Sequence, residues 1–160
     1  DFFGSQLNLL TSEQPNLVTN GTFDTDSDWG GVGSNGFSIS GGKLNLLDVA
    51  YVQNVTQGNV TTVGKIYKVT FEISNYVKGK VRIFLGGSVT PTQTSNGVFT
   101  SYVTASSNAN VGIQTIDGSG TTLSIDNVSV QVARAELDQI EAKKCLADWI
   151  HTTALKDLNN

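Results

Sequence analysis

Asp24, Asp26 and Asp28 alternate through a short polar stretch, and carboxylates at that spacing suit a hard cation. An EF-hand loop begins the same way. It also needs a glycine at its sixth position and a glutamate at its twelfth, where this chain has Trp29 and Asn35. Calcium in a different oxygen cage stays open beside the plainer reading, a solvated acidic loop held by Asx turns. Nucleophilic and zinc chemistry have little to work with. The chain holds one histidine, His151, and one cysteine, Cys145. In a helical stretch these two point in different directions, and no second histidine stands at zinc-site spacing. Carboxylates are plentiful, but nothing marks two of them as a glycosidase pair, so we expect no enzyme.

Aromatic residues are the better lead. Trp29 lies in a glycine-rich loop and Tyr51 on a short expected strand. Phe84 and Tyr102 fall on the parity opposite their strands' apolar residues, with Arg82 and Gln114 in matching parity. A sheet face carrying rings beside planar polar groups suits a sugar. Its CH faces stack on the rings and its hydroxyls take hydrogen bonds. The same side chains would equally serve as a seat for the lead-in segment, the terminal helix or another subunit.

These residues need elements to position them. The chain has 160 residues, room for one domain with a small appendage. At 38% hydrophobic it is globular, and at 15% charged it sits well below the usual quarter. Its polarity comes from Gly, Ser, Thr and Asn, a mix that favours strands and tight turns. A net charge of −4 without a Lys/Arg cluster argues against binding nucleic acid through phosphates. No apolar run approaches the length of a membrane span. One cysteine excludes an intrachain disulfide. A start at Asp1 is expected of a piece of a longer chain.

Residues 1–15 show no sustained period and read as a lead-in that docks through Phe2, Phe3, Leu7, Leu9 and Leu10. From Asn16 the pattern becomes short strands broken by Gly, Asn and Ser, about nine at roughly ten-residue spacing, which predicts a β-sandwich or barrel. The expected strands begin near Asn16 and continue over residues 37–40, 43–47, 50–56, 66–75, 80–85, 97–104, 110–116 and 121–132. The clearest is 66–75, where Tyr67, Val69, Phe71 and Ile73 share one face. In the last strand Leu123 and Ile125 have one parity and Val128, Val130 and Val132 the other. A β-bulge at Asp126–Asn127 would restore the inward face. After Val132 the period changes to that of a helix over residues 133–160, with Ala142, Cys145, Leu146, Trp149 and Ile150 on one stripe. No glycine or proline separates it from the last strand, so the exit is rigid.

Two stretches carry a family resemblance. Asn16-Leu-Val-Thr-Asn-Gly-Thr-Phe-Asp24, followed by Trp29, and Ile125-Asp-Asn-Val-Ser129 resemble the opening and closing strands of family 4 and family 9 carbohydrate-binding modules. The resemblance spans residues 16–132. It implies a jelly-roll β-sandwich and a structural calcium where first and last strands meet, with Gly21, Asp24, Lys43 (through its carbonyl) and Asp126 as ligands. It also implies a polysaccharide cleft with two facing aromatics, for which Trp29 and Tyr51 are the obvious candidates. The fused helix departs from that pattern. Gly120 to Ser129 also resembles the ends of jelly rolls in bacteriophage tail and capsid-decorating proteins.

The expectation is therefore an all-β jelly-roll sandwich with a C-terminal α-helical extension, acting as a non-catalytic structural and adhesion module. It would sit on a phage virion surface, joined to neighbouring virion proteins or its own copies by the lead-in segment and helix. The alternative is a carbohydrate-binding module of a secreted glycoside hydrolase.

Overall fold

The computed structural model describes residues 14–107 and 110–133. Residues 1–13 of the expected lead-in (1–15) and residues 134–160 of the expected helix (133–160) lie outside them.

Nine strands form. They are β1 (Phe37–Ile39), β2 (Leu44–Val49), β3 (Asn54–Gln57), β4 (Ile66–Lys78), β5 (Val81–Leu85), β6 (Ser88–Val89), β7 (Gly97–Thr104), β8 (Val111–Thr115) and β9 (Thr121–Val132). One sheet runs β1-β2-β9-β4-β7 and the other β3-β8-β5-β6, with every pairing antiparallel. From β2 onward the chain repeatedly crosses from one sheet to the other. That winding is a jelly roll.

The sequence pattern explains the layers. In β4, Tyr67, Val69, Phe71 and Ile73 are all buried while the residues between them are partly exposed. Alternation at period two presents one face to the core. Val81, Ile83 and Leu85 of β5 and Val111 and Ile113 of β8 meet that face from the other sheet's inner side. The buried Tyr67 hydroxyl accepts a bond from the Thr62 backbone N–H at 2.7 Å, so the ring enters the core without an unsatisfied oxygen.

The parity flip in β9 is a bulge, as its apolar pattern predicts. Thr70 pairs with Ser129 and Glu72 with Asp126, so β9 carries one extra residue there. Asn127 takes it up with φ of 52°. Leu123, Ile125, Val128 and Val130 all point inward as a result.

Two expectations need correcting. Residues 16–24 form turns rather than a ladder strand. Only Leu17 N–H to Val130 O and Val128 N–H to Gly21 O, each 2.8 Å, join this stretch to β9 by backbone. The Asn16 carboxamide replaces the missing rungs. Its Nδ2 donates to Val128 O at 3.2 Å and its Oδ1 accepts from Val130 N–H at 2.9 Å. The stretch expected to be polar loop at 86–96 contains the two-residue β6.

Candidate functional site

The outer face of the four-stranded sheet holds three of the expected residues. Because Val81, Ile83 and Leu85 point inward, Arg82 and Phe84 must point outward. Register sets their neighbours. Asn54, Gln114 and Arg82 form one row, and Thr56, Gly112 and Phe84 the next. Arg82 donates from Nε and Nη2 to Gln114 Oε1, at 3.0 and 2.8 Å. One acceptor thus fixes the guanidinium. Its other N–H groups and the Gln114 amide N–H groups have no partner among the described residues.

Phe84 rests on Gly112. A Cβ at residue 112 would lie 2.3 Å from both Cε1 and Cζ of that ring. Only a residue without a side chain lets the ring settle there. The ring is half-buried, so part of it remains open to solvent.

Tyr51 sits in the turn before β3 rather than on a strand, and it is 60% exposed. The next residue, Val52, donates its N–H to Thr115 O at 3.0 Å. That places Tyr51 beside the end of β8 that carries Gln114.

Two expected residues fall elsewhere. Tyr102 is 63% exposed but belongs to β7, paired with Lys68 of β4 in the five-stranded sheet. It shares no face with Arg82. Trp29 is a core residue, 5% exposed. Its ring lies 5.4 Å from that of Phe23, and its Nε1 donates to Asn20 O at 3.1 Å. A ring held on both its apolar and polar sides has no face left for a sugar.

The chain is similar to two solved carbohydrate-binding modules. One is a CBM4 structure, at 18% identity and a TM-score of 0.47, covering 72% of this chain and 99% of that one. The other is CBM35 from Paenibacillus barcinonensis, at 17% identity and a TM-score of 0.43, covering 76% of this chain and all of that one. No protein-family model matches the chain, and no curated protein does.

The four residues expected to hold calcium lie along the seam between residues 16–24, the β1–β2 turn and the β9 bulge. Gly21 packs so closely on β9 that a Cβ there would lie 2.1 Å from Val128 O. The Asp24 carboxylate lies 4.0 Å from the point where a side chain at Gly42 would begin. Leu44 pairs with Ile125, so the same register continued one step sets Lys43 opposite Asp126. Two carboxylates and two carbonyls are a hard donor set that suits calcium. Each already has some protein partner: Thr22 Oγ1 on Asp24, Val128 N–H on Gly21 O, Ser40 N–H on Lys43 O, and Asn127 N–H on Asp126. The two carboxylates and the Gly21 carbonyl retain further lone pairs, so they fit a cation. The Lys43 carbonyl also accepts from Asn45 Nδ2 at 3.3 Å and would have to give up a bond to join them. Among the described residues no group of three or more His, Cys, Asp or Glu side chains converges. A site here therefore depends on its carbonyls.

The seam also borders an open cleft of about 360 Å³. Asn16, Asn20 and Asn127 line it, yet each carboxamide already bonds the protein. Its polar groups hold the chain together rather than await a ligand.

Sequence reading missed Gln57. Its Oε1 accepts from both the N–H and the Oγ1 of Thr19 at 3.1 Å, and its Nε2 donates to Thr19 O at 2.6 Å. Nothing in a lone glutamine on a short strand signals this. Asn16 was within the quoted motif, but its role as a substitute rung was not readable. One titrating group stands out. Asp117, in the β8–β9 loop, is held below the usual carboxylate range first by the Ser119 N–H and then by its hydroxyl, with Lys80 adding a weaker pull.

Proposed function

We propose that the chain is a non-catalytic glycan-binding adhesion module, with its contact surface on the outer face of the four-stranded sheet. The observation that carries this reading is the Arg82–Gln114 pair beside a Phe84 ring seated on Gly112. Fixed donors next to an apolar ring are what a sugar's hydroxyls and CH face require. Tyr51 at the rim of this face would widen it. Binding here needs no catalytic group, and recognition would rest on shape and hydrogen bonds alone.

The setting we propose is a phage particle surface, where the module would meet polysaccharide on a host. Its support is the resemblance of Gly120 to Ser129 to phage jelly-roll endings. A module of a secreted glycoside hydrolase would use the same face, and the Asn16 to Asp24 motif supports that setting. We further propose that calcium closes the seam through the Asp24 and Asp126 carboxylates and the Gly21 and Lys43 carbonyls. Its support is the placement of these residues along one seam.

Affinity electrophoresis against a panel of soluble polysaccharides tests the binding reading. Retardation by at least one glycan is expected. Arg82→Ala or Phe84→Ala should abolish it, while Tyr102→Ala, on the other sheet, should leave it intact. No retardation by any glycan, or equal loss with Tyr102→Ala, would sink the assignment of this face.

A further inference from the structure

The two sheets have four edges, and three are short or covered. β1 has three residues and β6 two. β3 has four, and Gly30 and Thr56 exchange two backbone bonds of 2.9 Å along it. The fourth edge, β7, differs. It runs eight residues as Gly-Val-Phe-Thr-Ser-Tyr-Val-Thr, with no charge and no proline, and among the described residues its one ladder partner is β4. Folds ordinarily blunt such an edge with a charge, a proline, a bulge or a cover, because its free N–H and C=O groups template another strand. None of the first three is present within β7.

The outer-face residues of β7 are Val98, Thr100, Tyr102 and Thr104. Val98 is 67% exposed and Tyr102 63%. The β4 partners of these four are Glu72, Thr70, Lys68 and Ile66 respectively. Charge therefore runs from negative to positive along this margin. A two-fold axis through Thr100 reverses one copy against the other. Read across the junction, the row becomes Lys68, Tyr102, the second copy's Val98 and the second copy's Glu72. The same row repeats in reverse four residues on, with Thr100 facing the second copy's Thr100 between the two. Tyr102 then lies directly opposite the second copy's Val98 at both ends. These aromatic–β-branched and Thr–Thr pairs favour cross-strand pairing. Lys68 and the second copy's Glu72 stand three strands apart and do not pair. A second copy supplies both Tyr102–Val98 pairs and the Thr100–Thr100 pair by symmetry, which a strand of unrelated sequence has no reason to do.

We infer that β7 is a pairing edge for a second copy of this chain, joining two five-stranded sheets antiparallel across Thr100. This surface lies on the other sheet from the proposed glycan face and does not depend on it.

Sedimentation velocity on the full chain tests the inference with two variants that differ only at residue 102. The wild type should sediment at twice the chain mass. Val98→Lys/Tyr102→Lys sets like charges directly opposite one another twice and should halve that mass. Val98→Lys/Tyr102→Glu sets opposite charges there and should restore it. Far-UV circular dichroism checks that each variant keeps its sheets. Hydrogen exchange on the wild type gives a reading without mutation, since amides of Gly97–Thr104 should exchange more slowly as concentration rises. A monomeric wild type at high micromolar concentration overturns the inference. So does an unchanged mass in the first variant, a monomer in the second, or exchange in β7 that ignores concentration.

Discussion

The Gln57 carboxamide grips Thr19 from both directions, accepting from its N–H and hydroxyl and donating to its carbonyl. Gln57 belongs to the four-stranded sheet, while Asn16, three residues before Thr19, bonds β9 of the five-stranded one. Residues 16–19 are therefore a strap across one margin of the sandwich.

Removing either end of the strap should loosen it. Gln57→Ala leaves part-buried Thr19 groups unmatched, which costs about 1–3 kcal/mol per unsatisfied group. Asn16→Ala should cost a similar amount. Both hold the same segment, so the double variant should lose less than the sum of the two. Urea denaturation of the four proteins in the cycle measures this, and strict additivity would argue against a single strap.

Trp29→Ala should unfold or severely destabilise the chain rather than spare it and erase binding. Large aromatic truncations in a core cost about 3–5 kcal/mol. Phe23 beside it holds a φ of 52°, uncommon for a bulky residue, and its fully buried ring packs on Trp29. A thermal melt compares the variant with the wild type. An unchanged melting temperature would return Trp29 to the list of surface residues.

Gly112→Ala should displace the Phe84 ring. Overpacking of this kind costs about 1–3 kcal/mol. Glycan retardation should fall with it, whereas Phe84→Ala should remove retardation at little cost in stability. Electrophoresis and melting temperature measured on the same two samples separate seat from ring.

Calcium in excess should raise the melting temperature of the wild type. A ligand at about a hundred times its dissociation constant adds about 2.7 kcal/mol to a folded state that alone binds it. The shift should vanish with chelator and in Asp126→Ala. A wild type whose melt ignores calcium would remove the ion from the seam.

Asp117 predicts an acid-limb effect. Its carboxyl is held below the usual 3.8 by Ser119, so its charged form favours the folded chain. That contribution is fully present above the unfolded value and disappears as pH falls through the lower folded value. Asp117→Asn should therefore flatten the acid end of the stability profile while leaving the difference between pH 6 and pH 8 unchanged. Melts carried down through the acid limb read the slope directly, and an identical acid limb in both proteins would contradict the assignment.

Much of the fold was readable because half-buried strands must alternate. β4 could be assigned residue by residue, and the β9 bulge showed itself as a change of parity. Parity, however, states only whether a residue points in or out. It does not name the sheet. The jelly-roll winding sends β5 and β8 to one sheet and β7 to the other, so Tyr102 left the company of Arg82, Phe84 and Gln114. Trp29 was misplaced for another reason. Its flanking glycines describe the backbone, and the burial of its ring against Phe23 depends on a turn that composition does not encode. Residues 16–24 read as a strand because a carboxamide that imitates two peptide groups leaves no mark on the apolar pattern.

The Asn16 bonds to Val128 and Val130 join positions 112 and 114 residues apart. A ribosome releases the first of these long before the second. The β9 end of this strap must therefore wait, unlatched, until the final strand emerges, and β2 and β4 wait for the same strand to come between them. Nascent sandwich is open sandwich, with the inner faces of both sheets accessible until the end. Long-range closure of this kind is slow and leaves edges exposed while it proceeds. The low charge of these strands then becomes a liability of timing. Chain segments short of β9 should be the ones that need a chaperone.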